Sequence, residues 1–297
     1  SSGAHAAIQS IDGGDVVDLW AKQFQMATPD GDSFRMWGFA VGDASGPTAE
    51  PQYPAPTMRF TEGSPVNVTV HNFDVPQGVT LDFLGQTAVT KTCVFNQGNG
   101  GGNSGNNGCF PEQSPQKNEV IAGTTDSIKY EFVATKPGTY MYQSGVNPQV
   151  QVDMGLVGAL IVDPISTADA GTGTVTVNNV SAPDADYHAV GLAYNDATTV
   201  YDREYLFFLS ETDPKLHYLA ELDKLENWDN GDYNATLFFI NGRNSPDTLA
   251  ADFQPQLPNQ PYGSIVVMHP GQRILLRVIN AGRNQHPLHL HGNHFNQ

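Results

Sequence analysis

Ser127-Ile128-Lys129-Tyr130-Glu131-Phe132-Val133 alternates apolar and polar side chains residue by residue. A period of two puts Ile128, Tyr130 and Phe132 on one face and Lys129 and Glu131 on the other. The stretch therefore reads as a half-buried antiparallel strand. The same alternation recurs in Thr57-Met58-Arg59-Phe60 and in Val66-Asn67-Val68-Thr69-Val70. Met154 to Val162 (MGLVGALIV) is almost wholly apolar, as for a central strand, and Asp163-Pro164 ends it. A second set of strand-like runs follows at Glu204–Leu209, Ala235–Ile240, Ser264–Met268 and Arg273–Ile279. Helical spacing occurs in one place, Pro214 to Asn227, and predicts one or two turns.

The reading is all-β, with two Greek-key β-sandwich domains. An N-terminal arm covers 1–15 and the first domain 16–164. A Ser-, Thr-, Ala- and Gly-rich connection covers 165–186, and the second domain, 187–297, is cut short of a full strand set. The halves share a pattern. Gly63-Ser64-Pro65-Val66-Asn67-Val68-Thr69-Val70-His71-Asn72 and Gly271-Gln272-Arg273-Ile274-Leu275-Leu276-Arg277-Val278-Ile279-Asn280 both run from a turn glycine through a strand to an Asn, which suggests an internal repeat.

Composition narrows the function classes. The 297 residues carry 14 Lys+Arg against 31 Asp+Glu, a net charge of -17, which argues against nucleic acid or an anionic membrane as partner. No apolar run approaches the roughly 20 residues of a membrane helix. Cys93 and Cys109 flank a Gly-, Asn- and Ser-rich stretch. A disulfide closing that loop would stabilise the fold by roughly 3 kcal/mol and points to a periplasmic or extracellular, secreted protein. Within the loop, Gly100 to Gly105 matches a dinucleotide-binding glycine pattern but lacks the strand before it and the helix after it.

Four of the nine histidines fall in the last twelve residues, in His286-Pro287-Leu288-His289-Leu290-His291-Gly292-Asn293-His294. On a strand, His289 and His291 would point to one face and could hold one metal ion or two adjacent ones. Imidazole suits copper, zinc and iron. A run of solvent-facing histidines is the plainer alternative.

At this motif the chain resembles the multicopper oxidase family, which is built of cupredoxin domains. The resemblance extends to Pro56–Gly63, Pro137-Gly138-Thr139-Tyr140-Met141-Tyr142, Met154–Val162 and Ile240-Asn241-Gly242-Arg243. It implies copper as cofactor, with His286 at the type 1 position and His289 and His291 serving a trinuclear cluster. The departures are as informative. Where the family's first domain supplies two His-x-His pairs, this chain reads Asp82-Phe83-Leu84-Gly85 and Gln143-Ser144-Gly145. Neither cysteine has a histidine shortly after it, as a type 1 site needs; the next one after Cys109 is His188. A full trinuclear cluster is therefore not expected in this chain alone. Two functions follow. One is a copper-binding oxidoreductase with a degenerate first-domain site. The other is a structural subunit that kept the scaffold and assembles into a homo-oligomer or filament through an open sheet edge.

Overall fold

The structure, a computed structural model, describes residues 10–12, 17–94, 119–169, 174–177, 180–183 and 191–292. In chain order the first half holds β1 (Ile11–Asp12), β2 (Val17–Ala27), β3 (Ser33–Asp43), β4 (Gly46–Pro47), β5 (Ala55–Thr61) and β6 (Pro65–Asn72). There follow β7 (Asp82–Phe83), β8 (Thr90–Val94), β9 (Ser127–Val133), β10 (Gly138–Gln143), a short helix α1 (Pro148–Gln151) and β11 (Val157–Asp163). These strands form two sheets, ordered β1-β5-β11-β10-β7 and β4-β3-β2-β6-β9-β8. One apolar core lies between them, drawn from both sheets and including Leu19, Phe39, Met58, Val68, Tyr130 and Leu160. The all-β reading holds, and the layering is that of a sandwich.

The alternating stretch behaves as its pattern requires. Ile128, Tyr130 and Phe132 are buried, while Lys129 and Glu131 face out and pair with each other at 2.8 Å. β11 is buried from Val157 through Val162, between β5 on one side and β10 on the other. It begins three residues later than the apolar run. Val152 to Leu156 form a tight turn in which Gly155 takes φ +115°, with its α-carbon against the Trp37 carbonyl.

The second half holds β12 (Thr167–Asp169), β13 (Thr174–Val177), β14 (Val180–Pro183), β15 (Gly191–Leu192), β16 (Val200–Tyr201), β17 (Arg203–Thr212), α2 (Pro214–Glu221), β18 (Leu237–Ile240) and β19 (Ile274–Asn280). The expected connection is thus partly structured, since β12, β13 and β14 make a small antiparallel sheet. Ser264–Met268, expected as a strand, is not one. The Tyr205 hydroxyl donates to the Val267 carbonyl at 2.6 Å and accepts its N–H at 2.9 Å, taking both groups that a ladder would have used. The predicted helix is present as α2, capped by the Asp213 carboxylate, which accepts from the Lys215 N–H.

The repeat is visible in the pairing. β6 runs parallel to β2, and β19 runs parallel to β17. In each case the residue after the closing Asn donates its N–H to the neighbouring strand at 2.9 Å, Phe73 to Ala21 and Ala281 to Leu209. β6 is flanked on its other side by β9; β19 is the outermost strand of its sheet among the described residues.

The halves are joined by apolar and ionic contacts. Phe208, Phe239 and Ile279 of the second half share a core with Met26, Met36 and Val157 of the first. Leu216 and Ala220 of α2 enter the first-half core. Arg59 on β5 grips Asp163 with two hydrogen bonds, 2.5 and 2.8 Å, and also donates to Glu204 on β17. Arg277 on β19 completes the group, donating to Glu204 at 2.9 Å. Burial favours the neutral acid at Glu204, but the two guanidinium groups outweigh it and lower its pKa.

Candidate metal centre

The histidine-rich segment follows β19 and is not a strand; among residues 281–292 no ladder pairing forms. Its place is set by Glu211 near the end of β17, whose side chain is wholly buried. Glu211 Oε1 accepts the Arg283 N–H at 2.5 Å and the Asn284 N–H at 2.8 Å. Its Oε2 lies 2.8 Å from His286 Nε2. Gly282 makes this approach possible, because a Cβ there would overlap Glu211 Oε2.

The same turn reaches the first half. Arg283 donates to Asp153 at 2.6 Å and to the Gln149 carbonyl at 2.7 Å, and its guanidinium stacks 4.0 Å from the Tyr233 ring. Burial pushes the Asp153 carboxyl up to about 6, against the pull of Arg283, with Glu211 and Asp213 adding to the rise.

The structure brings His289 and His291 together but not by strand geometry. Their rings lie edge to face with centroids 4.6 Å apart, and both side chains are exposed. His286 is separate, hydrogen-bonded to Glu211 and packed against the edge of Phe238 at 6.3 Å. His294 and Cys109 lie outside the described residues. His71 and His217 are structural. His71 stacks on Trp20 at 4.2 Å and pairs with Asp18 at 2.9 Å. His217 is fully buried in α2 between the Arg35 carbonyl and the Thr212 hydroxyl, each at 2.6 Å, and burial pushes it down to about 4.

The two replaced segments of the first domain are neighbours in space. Asp82 on β7 pairs in register with Gln143 on β10, and Phe83 with Tyr142. Phe83 is buried and Leu84 exposed. Ser144 is fully buried and donates to Gln151 Oε1 at 2.5 Å; Gln151 in turn donates to the Gly78 carbonyl at 2.9 Å and to Gln77 at 3.0 Å. A Cβ on Gly145 would sit 2.8 Å from Thr80 Oγ1 and 2.9 Å from Asp82 Oδ1, so the backbone is packed directly onto that strand.

These residues allow a test of fit to copper. Two adjacent, exposed imidazoles at His289 and His291 are of a type that suits copper and would supply part of a ligand set. A trinuclear cluster does not fit. No imidazole stands at Asp82, Leu84, Gln143 or Gly145, and among the described residues no group of three His, Cys, Asp or Glu side chains is placed to hold a metal. Sequence reasoning missed Glu211, Asp153, Gln151 and Arg283. The one available signal was a carboxylate two residues past the strand run Glu204–Leu209.

Residues 224–296 match the multicopper oxidase family model. No curated protein matches the sequence. Among solved structures the chain is similar to the copper nitrite reductase from Nitrosomonas europaea, at 20% identity and TM-score 0.50, over 93% of this chain and 69% of that one. It is similar to the blue copper oxidase from Nitrosomonas europaea at 19% identity and TM-score 0.52, over 90% and 61% of the two chains. A multi-copper oxidase from Pseudomonas thermotolerans aligns at 14% identity and TM-score 0.50, over 92% and 47%. This chain thus spans less than two thirds of either oxidase, and at such identities the likeness shows the fold. Residues 224–296 are thus similar to the multicopper oxidase family, and the likeness to solved copper proteins along nearly the whole chain shows a shared fold.

Proposed function

We propose that this chain is an extracytoplasmic copper-binding protein of the multicopper oxidase type, with the segment His286, His289 and His291 as its metal-binding part and a first domain that no longer supplies copper ligands. The single observation that carries the reading is the pairing of His289 and His291, two exposed imidazoles 4.6 Å apart within the family-matched region. Copper, when bound, would supply one-electron transfer. The chain's own part is to hold the ion through His289 and His291, while Glu211 holds His286 apart from that pair. At the first-domain half-site, the positions where the resemblance would put imidazoles read Asp82, Leu84, Gln143 and Gly145, and a Cβ on Gly145 would press on Thr80 Oγ1 and Asp82 Oδ1. The division into an arm 1–15, domains 16–164 and 187–297 and a connection 165–186 belongs to this proposal, as does a Cys93–Cys109 disulfide and export from the cytoplasm.

Copper titration of the purified chain tests the reading. Binding of Cu(II) is expected in the wild type and its loss in the His289→Ala, His291→Ala double variant. Equal binding by both proteins would overturn it.

A second reading is favoured by one observation, the outermost position of β19. Among the described residues no strand pairs its outer side, which offers an edge to an added strand from another copy, as in a structural subunit without catalysis. Sedimentation of dilute protein distinguishes the two. A monomer that binds copper supports the first reading, and a concentration-dependent, copper-independent oligomer supports the second.

A further inference from the structure

Three stretches of the chain fit the Asn-x-Ser/Thr pattern of asparagine-linked glycosylation: Asn67-Val68-Thr69, Asn179-Val180-Ser181 and Asn234-Ala235-Thr236. The pattern recurs by chance in an Asn-rich sequence, and it carries weight only in an exposed surface segment. The fold separates the three. The Asn179 match lies outside the described residues. Asn67 stands within β6, which lies between β2 and β9 in its sheet, and its side chain is half-buried opposite Glu131. Asn234 lies between the single helical turn Asn230–Asp232 and β18, outside any helix or strand. Asn234 and Thr236 are both exposed.

The backbone of this segment is tied down while its reactive groups are not. The Asn234 N–H donates to Asp213 Oδ2 at 2.8 Å, and the Thr236 N–H donates to the Thr212 carbonyl at 3.1 Å. Among the described residues no hydrogen bond holds the Asn234 side-chain amide or the Thr236 hydroxyl. We propose that Asn234 is an asparagine-linked glycan acceptor, taking an oligosaccharide from a lipid-linked diphosphate donor. This rests on the reading of the chain as exported from the cytoplasm. In the transfer, the Asn234 amide nitrogen bonds to the anomeric carbon of the first sugar and gives up one proton. The bond from that carbon to the diphosphate oxygen breaks, the lipid diphosphate leaves, and no group is oxidised or reduced. The sugar would stand at the entry to β18, the other outermost strand of the β18-β17-β19 sheet, where Phe238 is exposed. It would set a bulky, solvated group beside that edge and leave the β19 edge open.

The test uses the full chain, carried by a cleavable secretion leader, in a eukaryotic secretory host. Peptide mapping follows digestion with a peptide N-glycosidase, which converts a sugar-bearing asparagine to aspartate. In the predominant secreted species Asn234 is expected to read as aspartate after digestion and to carry sugar before it. Asn234→Gln and Thr236→Ala should each lose the sugar from the peptide that spans these residues. Thr236→Ser keeps the hydroxyl and should keep the sugar, which separates loss of the acceptor pattern from a change in the fold. A secreted wild type with unmodified Asn234, or a sugar on that peptide that survives Thr236→Ala, would overturn the proposal. The export reading is checked apart, by fractionating the cells that make the chain without an added leader. Finding the chain inside the cytoplasm there would sink that reading, whereas the leader-carried chain tests the acceptor itself.

Discussion

Single residues decide how much of the site can work, and they were unequally legible. His286, His289 and His291 announce themselves by type and spacing. Glu211 does not, because its role depends on a turn that brings residues 72 to 75 positions away back onto it. The same holds for Ser144 and Gln151, polar side chains that read as ordinary until the fold closes them on each other. Gly282→Ala should displace the Arg283–Asn284 turn from Glu211, lowering the melting temperature and releasing His286 to solvent. An unchanged melting temperature with an unchanged His286 signal would contradict that. Asp153 gives a prediction with a sign. Its folded carboxyl holds a proton up to about 6, above the ordinary value of 3.8. The folded state therefore binds more proton between those values, and Asp153's contribution to stability is greatest at low pH and is lost as pH rises through about 6. The melting-temperature difference between wild type and Asp153→Asn should fall from pH 4 to pH 6; a flat difference would refute the assignment.

At the scale of elements, period-two alternation was a reliable guide where a strand has neighbours on both sides, as β6 and β9 do. It failed at Ser264–Met268, whose pattern is as good but where Tyr205 takes both backbone groups of Val267 and the Thr248 carbonyl takes the Ser264 N–H. It also failed for the histidine segment, which leaves β19 as a turn and not as a strand. Alternation reports which side chains face the core and is silent on which partner satisfies the backbone. The strands β5, β17 and β19 are locked across the two halves by Arg59, Glu204 and Arg277. Removing one member of such a buried group leaves the others uncompensated. Glu204→Gln should therefore lower stability to urea by about 3 kcal/mol, with the loss greatest above the carboxylate range, since the Glu204 pKa is lowered in the fold. A midpoint within error of the wild type would show that the lock contributes nothing.

Across the whole molecule, the sequence resemblance and the fold agree on architecture, while the proposed copper chemistry would be divided unevenly between the halves. The second half keeps the imidazoles. The first sets Asp82 and Gln143 side by side on paired strands, at the positions where the resemblance would put histidine partners. The measurement that bears most directly on this account is electron paramagnetic resonance of the chain loaded with one equivalent of Cu(II), compared with the His289→Ala, His291→Ala double variant. The account predicts nitrogen coupling from imidazole ligands in the wild type and its loss in the variant, while a variant in which Asp82 and Gln143 are changed to Ala keeps the wild-type spectrum. A spectrum that survives removal of His289 and His291, or one that is lost with Asp82 and Gln143, would contradict it.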